Sequence, residues 1–180
     1  ANIDLKAFTE GFYKGLCSGH LSHVLDTLKY LRHETDVWFE ITTLLIPGEN
    51  DSDQELHQEA AWIADQIGLN VPIHFTAFHP DYKMRDKPNT PPETLVRARR
   101  IAMEYGHRYV YLGNIHSHEG SSTYCHNCGE IVIGRDWYEL SDWNLDSVGK
   151  CTNCGIQCAG WFDASPGKWG RKRLPIKLSA

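Results

Sequence analysis

Six cysteines occur in the 180 residues, and four of them fall into two Cys-x-x-Cys pairs, Cys125-His-Asn-Cys128 and Cys151-Thr-Asn-Cys154, with 22 residues between. Each pair makes a tight knuckle whose thiolates converge on one face, and four such ligands complete the tetrahedron that Zn²⁺ prefers. A closed set of four thiolates leaves no open coordination position, so the expected role of Cys125, Cys128, Cys151 and Cys154 is structural before it is catalytic. Iron is also compatible with four thiolates, and a metal assay with a visible spectrum separates the two. Gly129 and Gly155 directly follow the knuckles, where the backbone must bend back toward the sulfurs. Two disulfides are the other reading of the spacing. It is the weaker one, because the remainder looks like a cytosolic enzyme and nothing resembles a signal peptide.

Ile131, Val132, Ile133, Trp137, Tyr138 and Leu140 suggest two short strands between the knuckles, and Gly160-Trp161-Phe162 a third. This is the pattern of a zinc ribbon, a module too small to fold without its ion. His116, His118 and His126 lie close in sequence and are expected to face solvent, since the thiolates already fill the coordination sphere. Cys17 and Cys158 are expected to be buried or half-buried thiols.

The segment before the knuckles reads as alternating strands and helices. Ile3, Leu5 and Ala7 alternate with Asn2, Asp4 and Lys6, which predicts a strand with one packed face and one chemically active face. A helix is expected after Thr9 and another from about Ser22, with Val24, Leu25, Leu28 and Leu31 at helical spacing. Asp36 to Ile46 reads as a strand stopped by Pro47-Gly48. Ser52 or Asp53 caps a helix striped by Leu56, Ala60, Ile63 and Ile67. Val71 to Phe78 predicts a third strand, and Pro91-Pro92 opens a helix carrying Leu95, Ala98, Ile101, Ala102 and Tyr105. Arg108 to Gly113 predicts a fourth strand. Such alternation implies parallel pairing with helices on one face, the C-terminal half of a (β/α) barrel. Functional groups in these folds gather where strands end, which here means Lys6, Pro47-Gly48, His79 and Asn114.

Asp4-Leu5-Lys6 on a strand, Pro47-Gly48-Glu49-Asn50-Asp51 after the next, and Phe75-Thr76-Ala77-Phe78-His79 on the third resemble the second half of pyruvate formate-lyase activating enzyme-like radical SAM proteins. With Tyr111-Leu112-Gly113-Asn114 and the terminal four-cysteine module, the resemblance narrows to the AmmeMemoRadiSam-system radical SAM enzymes and covers Ala1 to about Phe162. It implies that a reduced [4Fe-4S] cluster cleaves S-adenosylmethionine to a 5′-deoxyadenosyl radical, which abstracts hydrogen from a substrate that the resemblance does not name; a protein is one option. It assigns Asp4, Lys6 and His79 to the S-adenosylmethionine site. An ammonium can pair with the methionyl carboxylate, a carboxylate can hold the amino group, and imidazole can approach the nucleoside. Such enzymes carry a CxxxCxxC cluster loop and an early glycine-rich segment, and this sequence contains neither. Cys151, Cys154 and Cys158 have the reversed spacing, and the first two belong to the knuckles. The chain starts at Ala1 directly in a strand pattern, which reads as a fragment. By itself it is expected to be inactive, with a missing N-terminal half-barrel as its first partner and Memo-like and AMME-domain proteins as associated ones.

The expected organisation is therefore a partial barrel over 1–115, a four-cysteine zinc ribbon over 116–163, and a basic tail over 164–180 holding Lys168, Arg171, Lys172, Arg173 and Lys177, compatible with disorder. A net charge of -5 and a pI near 6.0 disfavour nucleic acid as a partner. No apolar run approaches membrane-spanning length. A reading from another class is a non-enzymatic zinc-ribbon adaptor that docks a protein through aromatic residues such as Trp137, Trp143 and Trp161, among which Asp136, Glu139, Asp142 and Asp146 disfavour phosphate contact.

Overall fold

Strand β1 (Asn2–Asp4) is short, yet the alternation that defines it continues inward, with Leu5 and Ala7 fully buried beyond its end. In the computed structural model, which describes residues 1–167, it is the edge of a four-stranded sheet with β2 (Glu40–Leu45), β3 (Ile73–Ala77) and β4 (Val110–Gly113). The strands lie in chain order and every pair is parallel. Lys168, Arg171, Lys172, Arg173 and Lys177 lie outside the described residues. Among the described residues no helix is long and apolar enough to cross a membrane.

Three longer helices link the strands. A short helix, α1 (Glu10–Phe12), comes first and is capped by Thr9, whose hydroxyl accepts from Phe12 N; a wider π-type turn over Tyr13–Cys17 follows. Helix α2 (Leu21–Glu34) buries Leu28 fully and Val24, Leu25 and Leu31 in part. Helix α3 (Asp53–Gln66) is capped by Ser52, which accepts from Glu55 N at 3.3 Å, and buries Leu56, Ala60 and Ile63. Helix α4 (Pro92–Glu104) starts at the second proline, where a missing N–H leaves nothing unsatisfied. These helical stripes pack on Ile41, Leu45, Ile73, Phe75, Val110 and Leu112, the aliphatic face of the sheet. Every second strand residue faces the other way, so Asp4, Glu40, Thr42, His74, Thr76 and Tyr111 share the opposite, polar face.

One carboxyl sits inside the aliphatic layer. Glu59 on α3 is 2% exposed, and the Thr43 hydroxyl lies 2.6 Å from its Oε1 and 2.9 Å from Leu5 O. A hydroxyl has one hydrogen to give, so both contacts are hydrogen bonds only when Glu59 is protonated. Burial pushes its pKa from 4.5 to about 8, against the pull of the Thr43 hydroxyl whenever that hydroxyl turns its hydrogen to the carboxylate instead of to Leu5 O. The folded chain thus holds a proton that the unfolded chain releases above pH 4.5, and the associated stability is complete below that pH and lost as pH rises toward 8. Glu59→Gln, which keeps the neutral shape, is expected to flatten this decline and to raise stability at pH 8 by a few kcal/mol, roughly. Denaturation curves for the two proteins that stay parallel from pH 5 to 8 would remove the buried acid from the account.

The chain divides into two compact units, the first ending at Gly120 and the second beginning at Ser121. The second holds an antiparallel sheet in the order β5 (Thr123–Tyr124), β6 (Ile131–Asp136), β7 (Glu139–Trp143). Trp137-Tyr138 forms the tight turn between paired Asp136 and Glu139. The third strand expected at Gly160-Trp161-Phe162 is absent; Thr123–Tyr124 fills that place. Trp161 is exposed, while Phe162 serves as a ring packed edge-on against Trp143 at 6.4 Å.

Candidate functional site

Both knuckles are built by the same backbone bonds. Cys125 N donates to Glu130 O at 2.8 Å and Gly129 N to Cys125 O at 2.9 Å; Cys151 N donates to Ile156 O at 2.9 Å and Gly155 N to Cys151 O at 2.8 Å. The turns need the left-handed backbone that glycine adopts freely, with φ of 77° at Gly129 and 75° at Gly155. The four sulfurs consequently lie within 4.8 Å of one another, with Cys125 Sγ 3.5 Å from Cys154 Sγ and Cys128 Sγ 3.8 Å from Cys151 Sγ.

A tetrahedron of Zn–S bonds of about 2.3 Å has S···S edges of about 3.8 Å, so the thiols fit a single ion. They are far from the bonding distance of a disulfide, and all six cysteines are free. Burial pushes Cys125 up to about 12, while Cys128 is drawn down to about 6 by the Asn153 side chain and the Glu130 amide. The Ile156 amide and the Asn127 side chain lower Cys154 in the same way. Cys158 is buried in the core of this unit and outside the set of four. Cys17 corrects the expectation of a buried thiol: it is exposed, on the π-type turn of the first unit. His116 and His118 are exposed, whereas His126 is half-buried rather than solvent-facing.

In the first unit Asp4 ends β1 and Lys6 follows it on the polar side. Their side chains meet at 2.8 Å (Lys6 Nζ to Asp4 Oδ2) and remain about half exposed. The Lys6 backbone is gripped while its side chain projects. Its N–H donates to Tyr13 Oη at 3.0 Å, and its carbonyl accepts from Asn50 Nδ2 at 2.7 Å. His79 is exposed two residues beyond β3, at the same end of the parallel sheet. No contact of His79 with Asp4 or Lys6 is found among the described residues. The geometry thus pairs two of the three residues and sets the third on a strand end separated from theirs by β2.

No family model matches the chain. An uncharacterized protein of Methanocaldococcus jannaschii is 43% identical over 155 residues, which are 86% of this chain and 46% of that relative. The chain therefore spans about half the length of the curated relative it matches. Among solved structures, a domain of pyruvate-formate lyase-activating enzyme from Bacteroides vulgatus aligns with a TM-score of 0.55 and 19% identity, covering 63% of this chain and 66% of that one. The likeness is one of fold.

Two features of this scaffold carry no local sequence signal. Asn50 is buried and uses its whole amide: Oδ1 accepts from Ile46 N at 2.7 Å, and Nδ2 donates to Lys6 O and Leu44 O. It ties the turn after β2 to the end of β1, where Lys6 sits. On the polar face Glu40 Oε2 meets His74 Nε2 at 2.6 Å, and the His74 ring stacks on Tyr111 with centroids 5.1 Å apart. Thr42 Oγ1 donates to Asn2 Oδ1 at 3.0 Å, a plain cross-strand bond.

Proposed function

We propose that this chain is the C-terminal part of a radical SAM enzyme of the AmmeMemoRadiSam type, in which a preceding half-barrel completes the (β/α) barrel and the second unit is a structural zinc ribbon. The observation that carries the reading is the Asp4–Lys6 pair at the end of β1, within a parallel sheet whose fold is like that of an activating-enzyme domain. Bound together, S-adenosylmethionine and a reduced [4Fe-4S] cluster supply homolytic hydrogen abstraction. The pair is suited to the zwitterionic methionyl end. Asp4 holds the amino group, Lys6 holds the carboxylate, and each exchanges its present partner for a matching charge. His79 completes the site at the nucleoside.

Ligands for the cluster do not fit this chain. Four of its six thiols are gathered in one set, and Cys17 and Cys158 lie in different units. The cluster loop is assigned to the missing half-barrel. Cytoplasmic location accords with six free thiols, and Memo-like and AMME-domain proteins are the partners proposed.

Lys6→Ala in the protein joined to its N-terminal half-barrel is expected to weaken S-adenosylmethionine binding about tenfold or more, the worth of one charge-assisted hydrogen bond, with zinc content unchanged. Calorimetric titration measures it. Unaltered affinity would remove Lys6 from the site. A second reading, a zinc-ribbon adaptor that docks a protein, is favoured by the exposure of Tyr138 and Trp161, and it expects no S-adenosylmethionine binding at all.

A further inference from the structure

Strand register sets four residues of the polar face in one line across the first sheet. Asp4 lies beside Thr42, Thr42 beside His74, and His74 beside Tyr111, one residue from each strand. Strands stand about 4.8 Å apart, so the His74 backbone is about 10 Å from that of Asp4. The imidazole in this row is held at two places. Its Nε2 lies 2.6 Å from Glu40 Oε2, and its ring stacks on Tyr111 with centroids 5.1 Å apart and 28° between the planes. Glu40 is steered in turn, since Trp38 Nε1 donates to its other oxygen at 3.4 Å. The His74 side chain stays 28% exposed, and no hydrogen bond from the described residues reaches its Nδ1.

We propose that His74 binds the substrate, with Nδ1 accepting a hydrogen bond from a hydroxyl of a small, uncharged molecule, and that Glu40 is the positioning residue that keeps the ring proton on Nε2. This deepens the radical SAM reading and rests on it: that reading gives Asp4 and Lys6 to the methionyl end of S-adenosylmethionine and leaves the rest of the row to the molecule beside it. An ionised carboxylate has no hydrogen to give, so its short contact requires the hydrogen on Nε2. The other nitrogen of a neutral imidazole is then an acceptor. That lone pair selects the ligand. An anion meets the carboxylates of Asp4 and Glu40 on this face, and at Nδ1 it finds an acceptor where it needs a donor. A cation is drawn past the imidazole to Glu40, both of whose oxygens already accept. A hydroxyl donates to Nδ1 and brings no charge to either carboxylate. The competing account is a plain tie between β2 and β3, which uses Nε2 and Glu40 and gives Nδ1 nothing to do.

The test uses the protein joined to its N-terminal half-barrel, labelled with ¹⁵N-histidine and saturated with S-adenosylmethionine, as wild type, Glu40→Gln and His74→Gln. The last variant assigns the His74 signal by its loss; should it not fold, the through-space contact of the ring with Tyr111 assigns the signal in the wild type. Glycerol is the probe, and glycerol phosphate is its anionic counterpart. The wild-type ring is expected as the Nε2–H tautomer, and its Nδ1 resonance is expected to move on adding glycerol and to saturate, with no response to glycerol phosphate. Glu40→Gln, whose amide offers Nε2 a donor as well as an acceptor, is expected to admit the Nδ1–H form and to weaken the glycerol response in proportion to its share. A wild-type ring that carries its hydrogen on Nδ1, or an Nδ1 signal that glycerol leaves unmoved, would overturn the proposal and leave the pair as a tie between strands. An equal response to glycerol phosphate would overturn the choice of an uncharged ligand. Calorimetric titration separates these results from a failure of the underlying reading: a wild type that binds no S-adenosylmethionine overturns both, whereas one that binds it while His74 ignores glycerol overturns this proposal alone.

Discussion

Cys151→Ser is expected to release the metal and unfold the second unit while the first remains folded. Cys151 is 1% exposed and stands in a core whose other buried members are Cys125, Val132, Ile133, Leu145 and Cys158. Half of that core is cysteine. So little apolar surface cannot offset the conformational entropy of the segment, and under the zinc-ribbon proposal the balance falls to the ion, worth about 10 to 16 kcal/mol in small zinc modules. Zinc per chain should fall to background, and the near-ultraviolet dichroism from Trp143 against Phe162 should disappear. The far-ultraviolet signal of α2, α3 and α4 should persist. Cys158→Ser, which changes a core thiol outside the ligand set, should keep its zinc. Full zinc retention by Cys151→Ser would take this residue out of the metal site.

Asn50→Ala is expected to destabilise the first unit by about 3 kcal/mol or more, since it strands one backbone N–H and two carbonyls in a buried place. Asn50→Asp should be no remedy, because a carboxylate would face Lys6 O and Leu44 O where an amide now donates. The effect reaches the site through the backbone: the turn that Asn50 anchors carries Glu49, which pairs with Lys87, and the same amide fixes the carbonyl of Lys6. Chemical denaturation reads the loss of stability directly. A change below about 1 kcal/mol, the worth of an ordinary hydrogen bond, would show that water takes over these contacts.

The parts of the molecule that were legible in the sequence are those where one physical cause acts locally. Alternation around Ile3 and Leu5, the stripe of Leu56, Ala60 and Ile63, the Ser52 cap and the Pro91-Pro92 start each follow from a period or an orphan backbone group, and each lies where expected. The cysteine knuckles were legible for the same reason. Contacts between distant residues were not. Asn50 answers Lys6 across 44 positions, and His74 answers Glu40 across 34, distances fixed by strand register and by no pattern along the chain. Strand β5 has two residues, too few for any period, whereas Gly160-Trp161-Phe162 looked like a strand because its aromatics are adjacent. In the fold those rings separate, one to solvent and one to Trp143. Cys17 was misplaced because thiols are usually buried, and a π-type turn carries this one outward.

The radical reading is tested most directly by supplying the protein joined to its N-terminal half-barrel with iron, sulfide, a low-potential reductant and S-adenosylmethionine under anaerobic conditions, and measuring 5′-deoxyadenosine. The account predicts 5′-deoxyadenosine from the wild type and sharply less from Lys6→Ala, with zinc content equal in both. A protein that carries its full iron complement and forms no 5′-deoxyadenosine would contradict the account and make the zinc-ribbon adaptor the better description.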